Sequence, residues 1–291
     1  MTDNFNGEVI TARVIDSNDE AYFVQSQGIT LSLPKNQTNQ VLTNGMDVKG
    51  FAYLNMHQQW CMTTNIPRIG FGHYAFGNVT GVQRNLGVFV NIGLPDKDIA
   101  VSSDLLPKMF NLWPQIGDRL MIALTKDKKD RLWGKLADAN MFQTIARPAN
   151  NQMKNKNITG TIYQLKIVGS YLITNDYHLG FIHPNEREVE PRLGEVVHGR
   201  VIGIGQGGIL NISLRPRGYE TIDDDAQMIL AVLRRQPNHV MHYSDKSNAE
   251  DIKEYFGISK SSFKRALGHL YKEDLIEFVP EGTKLLDKVD K

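Results

Sequence analysis

Few residues in this chain have a type and spacing that could support chemistry. Gly203-Ile204-Gly205-Gln206-Gly207-Gly208 carries the letters of a dinucleotide fingerprint, and acidic residues follow at Asp223, Asp224 and Asp225. Pyrophosphate binding would need a helix to open at these glycines, so that its N-terminus faces the anion. Ile209-Leu210-Asn211-Ile212-Ser213-Leu214 alternates as a strand instead, so the glycines read as a hairpin. His239 and His242, three apart, would share one helical face and could offer two imidazoles to a metal, as could the pair His178 and His183. Neither pair has a third ligand close by in sequence, and a metal site needs more than two. No serine–histidine–acid arrangement, Walker loop or carboxylate cluster suited to two-metal nuclease chemistry stands out. The expectation is a protein without a catalytic site, cofactor or metal.

The elements that must position any other site are set by length and pattern. At 291 residues, with 41% hydrophobic and 22% charged residues, the chain has room for two to four domains of about 100–200 residues. No apolar run approaches the roughly 20 residues that cross a bilayer. Met1-Thr2-Asp3-Asn4-Phe5 lacks the charged and apolar stretches of a signal peptide. Cys61 is the single cysteine, which excludes an intramolecular disulfide framework and a cysteine-based zinc site. A cytoplasmic location and no membrane partner are expected. The net charge of +1 hides an asymmetry: residues 67–145 hold 10 Lys/Arg against 7 Asp/Glu, and residues 146–220 hold 9 against 6. The two ends are mildly acidic, so a polyanion would meet the middle of the chain.

A repeat runs through the strand-rich part. One phrase opens each unit, at Phe5-Asn6-Gly7-Glu8-Val9, Phe76-Gly77-Asn78-Val79 and Ile158-Thr159-Gly160-Thr161-Ile162. A second follows at Asn44-Gly45-Met46-Asp47-Val48, Ile116-Gly117-Asp118-Arg119-Leu120 and Leu193-Gly194-Glu195-Val196-Val197. Self-similarity at this period means an array of small domains. About five strands per unit suits a Greek-key barrel, whose closure removes exposed edges. The predicted boundaries are 1–66, 67–147 and 148–220 for three barrels and 221–291 for a fourth domain.

At these residues the pattern resembles the ribosomal S-one type of RNA-binding domain, an OB-fold barrel. In the second unit Leu86-Gly87-Val88-Phe89-Val90 matches the family's second strand, with Asp98-Ile99-Ala100-Val101 in the third strand and the family's histidine replaced by Val101. Arg131-Leu132-Trp133 keeps the arginine that starts the fifth strand. In the third unit Val168-Gly169-Ser170-Tyr171-Leu172 and Gly180-Phe181-Ile182-His183 fit, and Ile209 takes the arginine's place. The first unit is the most divergent, with Ala21-Tyr22-Phe23-Val24 its clear match. The full order, three such barrels and then a winged helix, is similar to the bacterial CvfB family of RNA-binding regulators, and Asn91-Ile92-Gly93-Leu94-Pro95-Asp96-Lys97-Asp98 resembles that family's second domain. The resemblance implies single-stranded RNA as partner and post-transcriptional control, including that of virulence-associated genes.

Such a barrel holds a single strand by stacking bases on exposed rings, each worth roughly 1–3 kcal/mol, amid cations that neutralise phosphates. The motif points to Phe89, Tyr171 and His183 for stacking, to Arg131 for stacking or phosphate pairing, and to Lys126, Lys128 and Lys129 beside it. The competing reading makes these aromatics core residues and the lysine run a solvated turn.

From Ile222 the period becomes helical, with Asp223, Asp224 and Asp225 where carboxylates favour a helix N-terminus. Ser247-Asn248-Ala249-Glu250 reads as a capping box opening a helix that Gly257 stops. Ser259 caps a second helix with Phe263, Leu267 and Leu270 inward, and residues 276–285 form a two-stranded wing. The second helix carries Lys260, Lys264, Arg265 and Lys272 on its outward face, as a recognition helix in a DNA major groove would. This segment holds 11 Lys/Arg against 13 Asp/Glu, so a DNA contact, a protein contact and a purely structural cap are all open. A DNA-binding transcription factor is therefore the alternative to an RNA-binding regulator.

Overall fold

The computed structural model describes residues 5–216 and 224–286, divided into two units, 1–214 and 215–291. The predicted boundary of the third barrel at residue 220, and Ile222 and Asp223, read as a helix start, lie outside the described residues. The first unit contains three closed five-stranded barrels. The first is β1 (Glu8–Ser17), β2 (Ala21–Ser26), β3 (Ile29–Pro34), β4 (Asp47–Leu54) and β5 (Trp60–Thr63). The second is β6 (Ala75–Gln83), β7 (Gly87–Asn91), β8 (Ile99–Ser102), β9 (Arg119–Lys126) and β10 (Leu132–Leu136). A short helix absent from the sequence reading, α1 (Ala139–Ile145), follows it and is capped by Asp138, which accepts the Met141 N–H. The third barrel is β11 (Asn157–Lys166), β12 (Gly169–Thr174), β13 (Leu179–Ile182), β14 (Val196–Ile204) and β15 (Leu210–Ser213). In all three the neighbour order is first, second, third, fifth, fourth strand, closing back on the first. The third and fifth strands run parallel.

Alternation fills the barrels. Val88 and Val90, Leu172, and Val24 point inward and are fully buried, with their even-numbered or odd-numbered neighbours facing out. The first strand of each barrel carries a bulge, between Val14 and Asp16, Val79 and Gly81, and Ile162 and Gln164, which adds the local twist that closure requires. Gly87 and Gly169 open the second strands at φ 139° and 147°, where a Cβ would stand 1.9 Å from the Val101 carbonyl and 2.4 Å from that of Ile182. No side chain fits there, which explains the motif glycine. The Gly203–Gly208 run is the hairpin between β14 and β15, as read.

The barrels are tied to one another. Outward-facing Phe51, Tyr53 and Cys61 of the first barrel join the core cluster of the second, beside Ile69, Leu94, Leu124 and Leu132. Tyr53 donates to Asp96 (2.7 Å) and the Lys97 ammonium to the Leu54 carbonyl (2.5 Å). Burial, reinforced by Asp96, raises the Tyr53 phenol far above its ordinary value. Between the second and third barrels, Arg192 forms a two-pronged pair with the buried Asp118 (3.1 Å each), and α1 inserts Phe142 against Tyr163, ring centroids 4.1 Å apart.

The second unit contains α2 (Asp224–Arg235), β16 (Val240–Met241), α3 (Ala249–Phe256), α4 (Lys260–Lys272), β17 (Ile276–Val279) and β18 (Gly282–Leu285). Phe263, Ala266, Leu267 and Leu270 of α4 are buried against Ile229, Leu233 and Ile252. Gly257 ends α3 in the left-handed region (φ 71°) and Ser259 caps α4 as expected. Three details differ from the sequence reading. Asn248, not Ser247, caps α3 by accepting the Glu250 N–H, while Ser247 Oγ accepts from Ser244 in the preceding turn. The wing gains a third strand, β16, too short to carry a pattern. His239 and His242 share no helical face: the first ends a one-turn helix and the second follows β16, bonding the Glu281 carbonyl. No described helix is long and apolar enough to cross a membrane, and no group of three metal-ligating side chains occurs among the described residues.

Candidate nucleic-acid interface

Strand pairing defines one row of outward-facing residues on each barrel, because directly opposed residues share a face. On the third barrel Gln164 of β11 opposes Tyr171 of β12, which opposes Phe181 of β13, which opposes Asn211 of β15. On the second barrel the corresponding row is Gly81, Phe89, Ala100 and Trp133. On the first it is Asp16, Phe23, Ser32 and Cys61. Phe89 and Tyr171, predicted from the motif, therefore occupy equivalent places, and both are half-buried.

The third barrel builds most on its row. The bulge leaves Tyr163 beside Gln164 on the outer face, and a run of rings results: Tyr163 to Tyr171 6.4 Å, Tyr171 to Phe181 5.1 Å, Phe181 to His183 6.5 Å between centroids. The Lys166 ammonium lies over the Tyr171 ring at 5.1 Å. His183 is exposed, and its Nδ1 accepts the Asn185 N–H (3.2 Å), so the neutral ring carries its proton on Nε2. This bond makes His183 the cap of a one-turn helix. The equivalent residues are Ser102, which caps in the same way, and Pro34, which does not. The family's histidine is thus replaced in the second barrel by Ser102 rather than Val101. Val101 points into the core, and a slip of one residue reverses the face.

On the second barrel Phe89 packs over Gly81, and Trp133 supplies a second half-buried ring in the same row. Arg131 approaches the Trp133 ring at 5.9 Å and pairs with Asp127 at 2.7 Å. Desolvation works to raise the Asp127 carboxyl. The Arg131 and Lys129 amides, the Arg131 guanidinium and the Trp133 indole outweigh it and hold the group well below the usual carboxylate range. A phosphate at Arg131 must share the arginine with that carboxylate. Lys128 and Lys129 are exposed on the hairpin, whereas Lys126 turns toward the first barrel, 5.3 Å from the Phe71 ring and 4.0 Å from Glu8. Lys126 thus stands apart from the other predicted cations.

Phe181 and Trp133 fall within the matched motif phrases but were not named as contacts, and neither was Tyr163. Phe181 and Trp133 could have been found by aligning the third and fifth strands to the motif, since each lies two residues before or after a quoted motif position. Tyr163 alternates outward from the buried Ile162, and the bulge brings Gln164 onto the same face beside it. In the second unit Lys264, Arg265 and Lys272 of α4 are exposed and Lys260 is half-buried. Tyr271 and Phe278, also exposed, stack there with centroids 5.4 Å apart.

Four family models match the chain: an S1 domain at residues 6–65, the CvfB first S1-like domain at 74–135, the second domain of virulence regulatory factor CvfB at 142–216, and a CvfB-like winged helix domain at 227–285. The chain is 37% identical to YitL of Bacillus subtilis over 91% of its own length and 89% of the relative's. It is 34% identical to conserved virulence factor B of Staphylococcus aureus over 93% of this chain and 90% of that one. A crystal structure of a multidomain protein with nucleic acid binding domains from Streptococcus pneumoniae TIGR4 is similar at 46% identity and a TM-score of 0.72, covering 97% of this chain and 98% of that chain.

Proposed function

The chain belongs to the CvfB family, and from that premise we propose that it is an RNA-binding regulator that holds single-stranded RNA across its second and third barrels, with no catalytic step of its own. The observation that carries this reading is the pair of equivalent rows, Phe89 with Trp133 and Tyr171 with Phe181, standing outward on the barrels whose sequence is net basic. Rings on an open barrel face accept any base, and Lys166, Lys128, Lys129 and Arg131 supply positive charge nearby. The similarity of the whole chain to a protein described as having nucleic acid binding domains supports it. Kinship with conserved virulence factor B supports a role in post-transcriptional control that includes virulence-associated genes. The proposed setting is the cytoplasm, where the lone, buried Cys61 stays reduced.

Tyr171→Ala combined with His183→Ala is the direct test, read as affinity for a labelled single-stranded oligoribonucleotide. The expected loss is about 1–3 kcal/mol for each stacked base, and unchanged binding removes these two residues from the site. Affinity should also fall steeply with salt, by a log–log slope of about −0.7 for each phosphate neutralised on a single strand. Exposed Lys264, Arg265 and Lys272 on α4 favour a second reading, a DNA-binding transcription factor. Tight duplex-DNA binding that survives loss of the barrel rings but not Lys264→Ala with Arg265→Ala would favour it.

A further inference from the structure

A cleft of about 380 Å³ lies between the second and third barrels, with Phe76, Arg119 and Leu136 on one side and Tyr163, Gln164 and Leu193 on the other. Its size falls at the small end of pockets that enclose an organic ligand, about 300–1,000 Å³. The walls are mostly apolar, with four polar residues among them, Arg119, Asp138, Tyr163 and Gln164, of which Asp138 is engaged in capping α1 through the Met141 N–H. The Arg119 guanidinium lies over the Phe76 ring, 4.7 Å from its centroid, and Arg119 makes no ion pair among the described residues. No described residue exchanges a hydrogen bond with the Gln164 amide. The Tyr163 phenol, pushed up to about 12 by burial, stays a neutral donor throughout the working range.

The cleft also adjoins the aromatic row. Gln164 is the residue directly opposite Tyr171, and Tyr163, on the cleft wall, is 6.4 Å from the Tyr171 ring. A strand whose base stacks on Tyr171 therefore has the mouth of the cleft beside it. The neighbouring base of a single strand can turn in at small cost, since no partner base has to be given up.

We propose that this cleft receives one unpaired nucleobase of the strand bound on the third barrel and confers base preference on a face that otherwise accepts any base. The inference rests on the RNA-binding reading above. A base between the apolar walls exchanges water for ring contacts, the planar guanidinium of Arg119 stacks on it, and the Gln164 amide, with a donor and an acceptor side by side, reads its edge. A well-formed two-bond contact of that kind discriminates between bases by about tenfold or more.

The test compares short homopolymeric oligoribonucleotides of A, C, G and U, binding to the full chain, to Gln164→Leu and to Ala137→Phe, which projects a ring into the cleft from its lining. Wild type should separate its strongest and weakest homopolymers by about tenfold or more, the equivalent of one such contact. Both variants should collapse that spread, with the binding that remains carried by stacking on Tyr171 and Phe181. Equal binding of all four by wild type, or an undiminished spread in Gln164→Leu, overturns the cleft assignment and leaves the RNA-binding reading standing. Failure of wild type to bind any homopolymer overturns both. Thermal unfolding of each variant identifies misfolding, and Gln164→Leu, on a half-exposed position, keeps the question answerable if Ala137→Phe does not fold.

Discussion

The first and third barrels have the same strand order, the same bulge and the same outward row, yet they differ at the end of that row on the fifth strand. In the third barrel Tyr171, Phe181 and exposed His183 face outward beside Lys166. In the first barrel the row ends in Cys61, which with Tyr53 and Phe51 is buried in the core cluster of the second barrel. The end of the row that the third barrel leaves partly open at Asn211 is covered in the first barrel at Cys61. This accounts for the divergence of the first unit: side chains packed at interior density obey their neighbour's shape, whereas rings on a solvated face answer only to what binds there. The second barrel stands between the two, keeping Phe89 and Trp133 but having Ala100 where the third barrel has Phe181.

The contrast can be broken most forcefully at Tyr53. Tyr53→Ala empties a fully buried site and should lower stability by about 3–5 kcal/mol, read as a shift of the urea midpoint of the full chain. Tyr171→Ala should shift that midpoint far less. Comparable losses would mean that the third barrel's row is also structural. Next in size is the effect on binding: Tyr171→Ala and Phe181→Ala should each weaken RNA affinity by about 1–3 kcal/mol, whereas Phe23→Ala, the equivalent of Tyr171 in the first barrel, should leave it unchanged. A matching loss from Phe23→Ala would return the first barrel to the interface. The smallest effect concerns protons. Burial raises the Tyr163 phenol to about 12, from about 10 in a free chain. A raised phenol means that folding favours the neutral form, so this contribution is whole below about pH 10 and is lost as pH rises through about 12. Tyr163→Phe should remove the late phase of tyrosinate absorbance near that pH and flatten the accompanying loss of stability.

Much of the architecture was legible because it is local. The spacing of Phe263, Leu267 and Leu270, the stop at Gly257 and the cap at Ser259 identify α3 and α4 without reference to any distant residue. The alternation after Gly208 distinguishes a hairpin from a nucleotide-binding helix in the same way. Gly87 and Gly169 were visible as motif letters, although the carbonyls that forbid a side chain there come from the third strand.

Residue order alone determined that this chain makes three repeated five-stranded barrels and a winged helix, since alternation, helical period and turn chemistry act over a few neighbours. Tertiary structure decided which outward rows remain open. Cys61 and Tyr53 are covered by residues of another barrel, and Tyr163 and Gln164 share the outer face because a bulge adds one residue to their strand. Phe181 meets Tyr171 through the register of the β12–β13 hairpin. Burial and ring contact depend on residues far apart in the chain, which only the packed fold brings within reach.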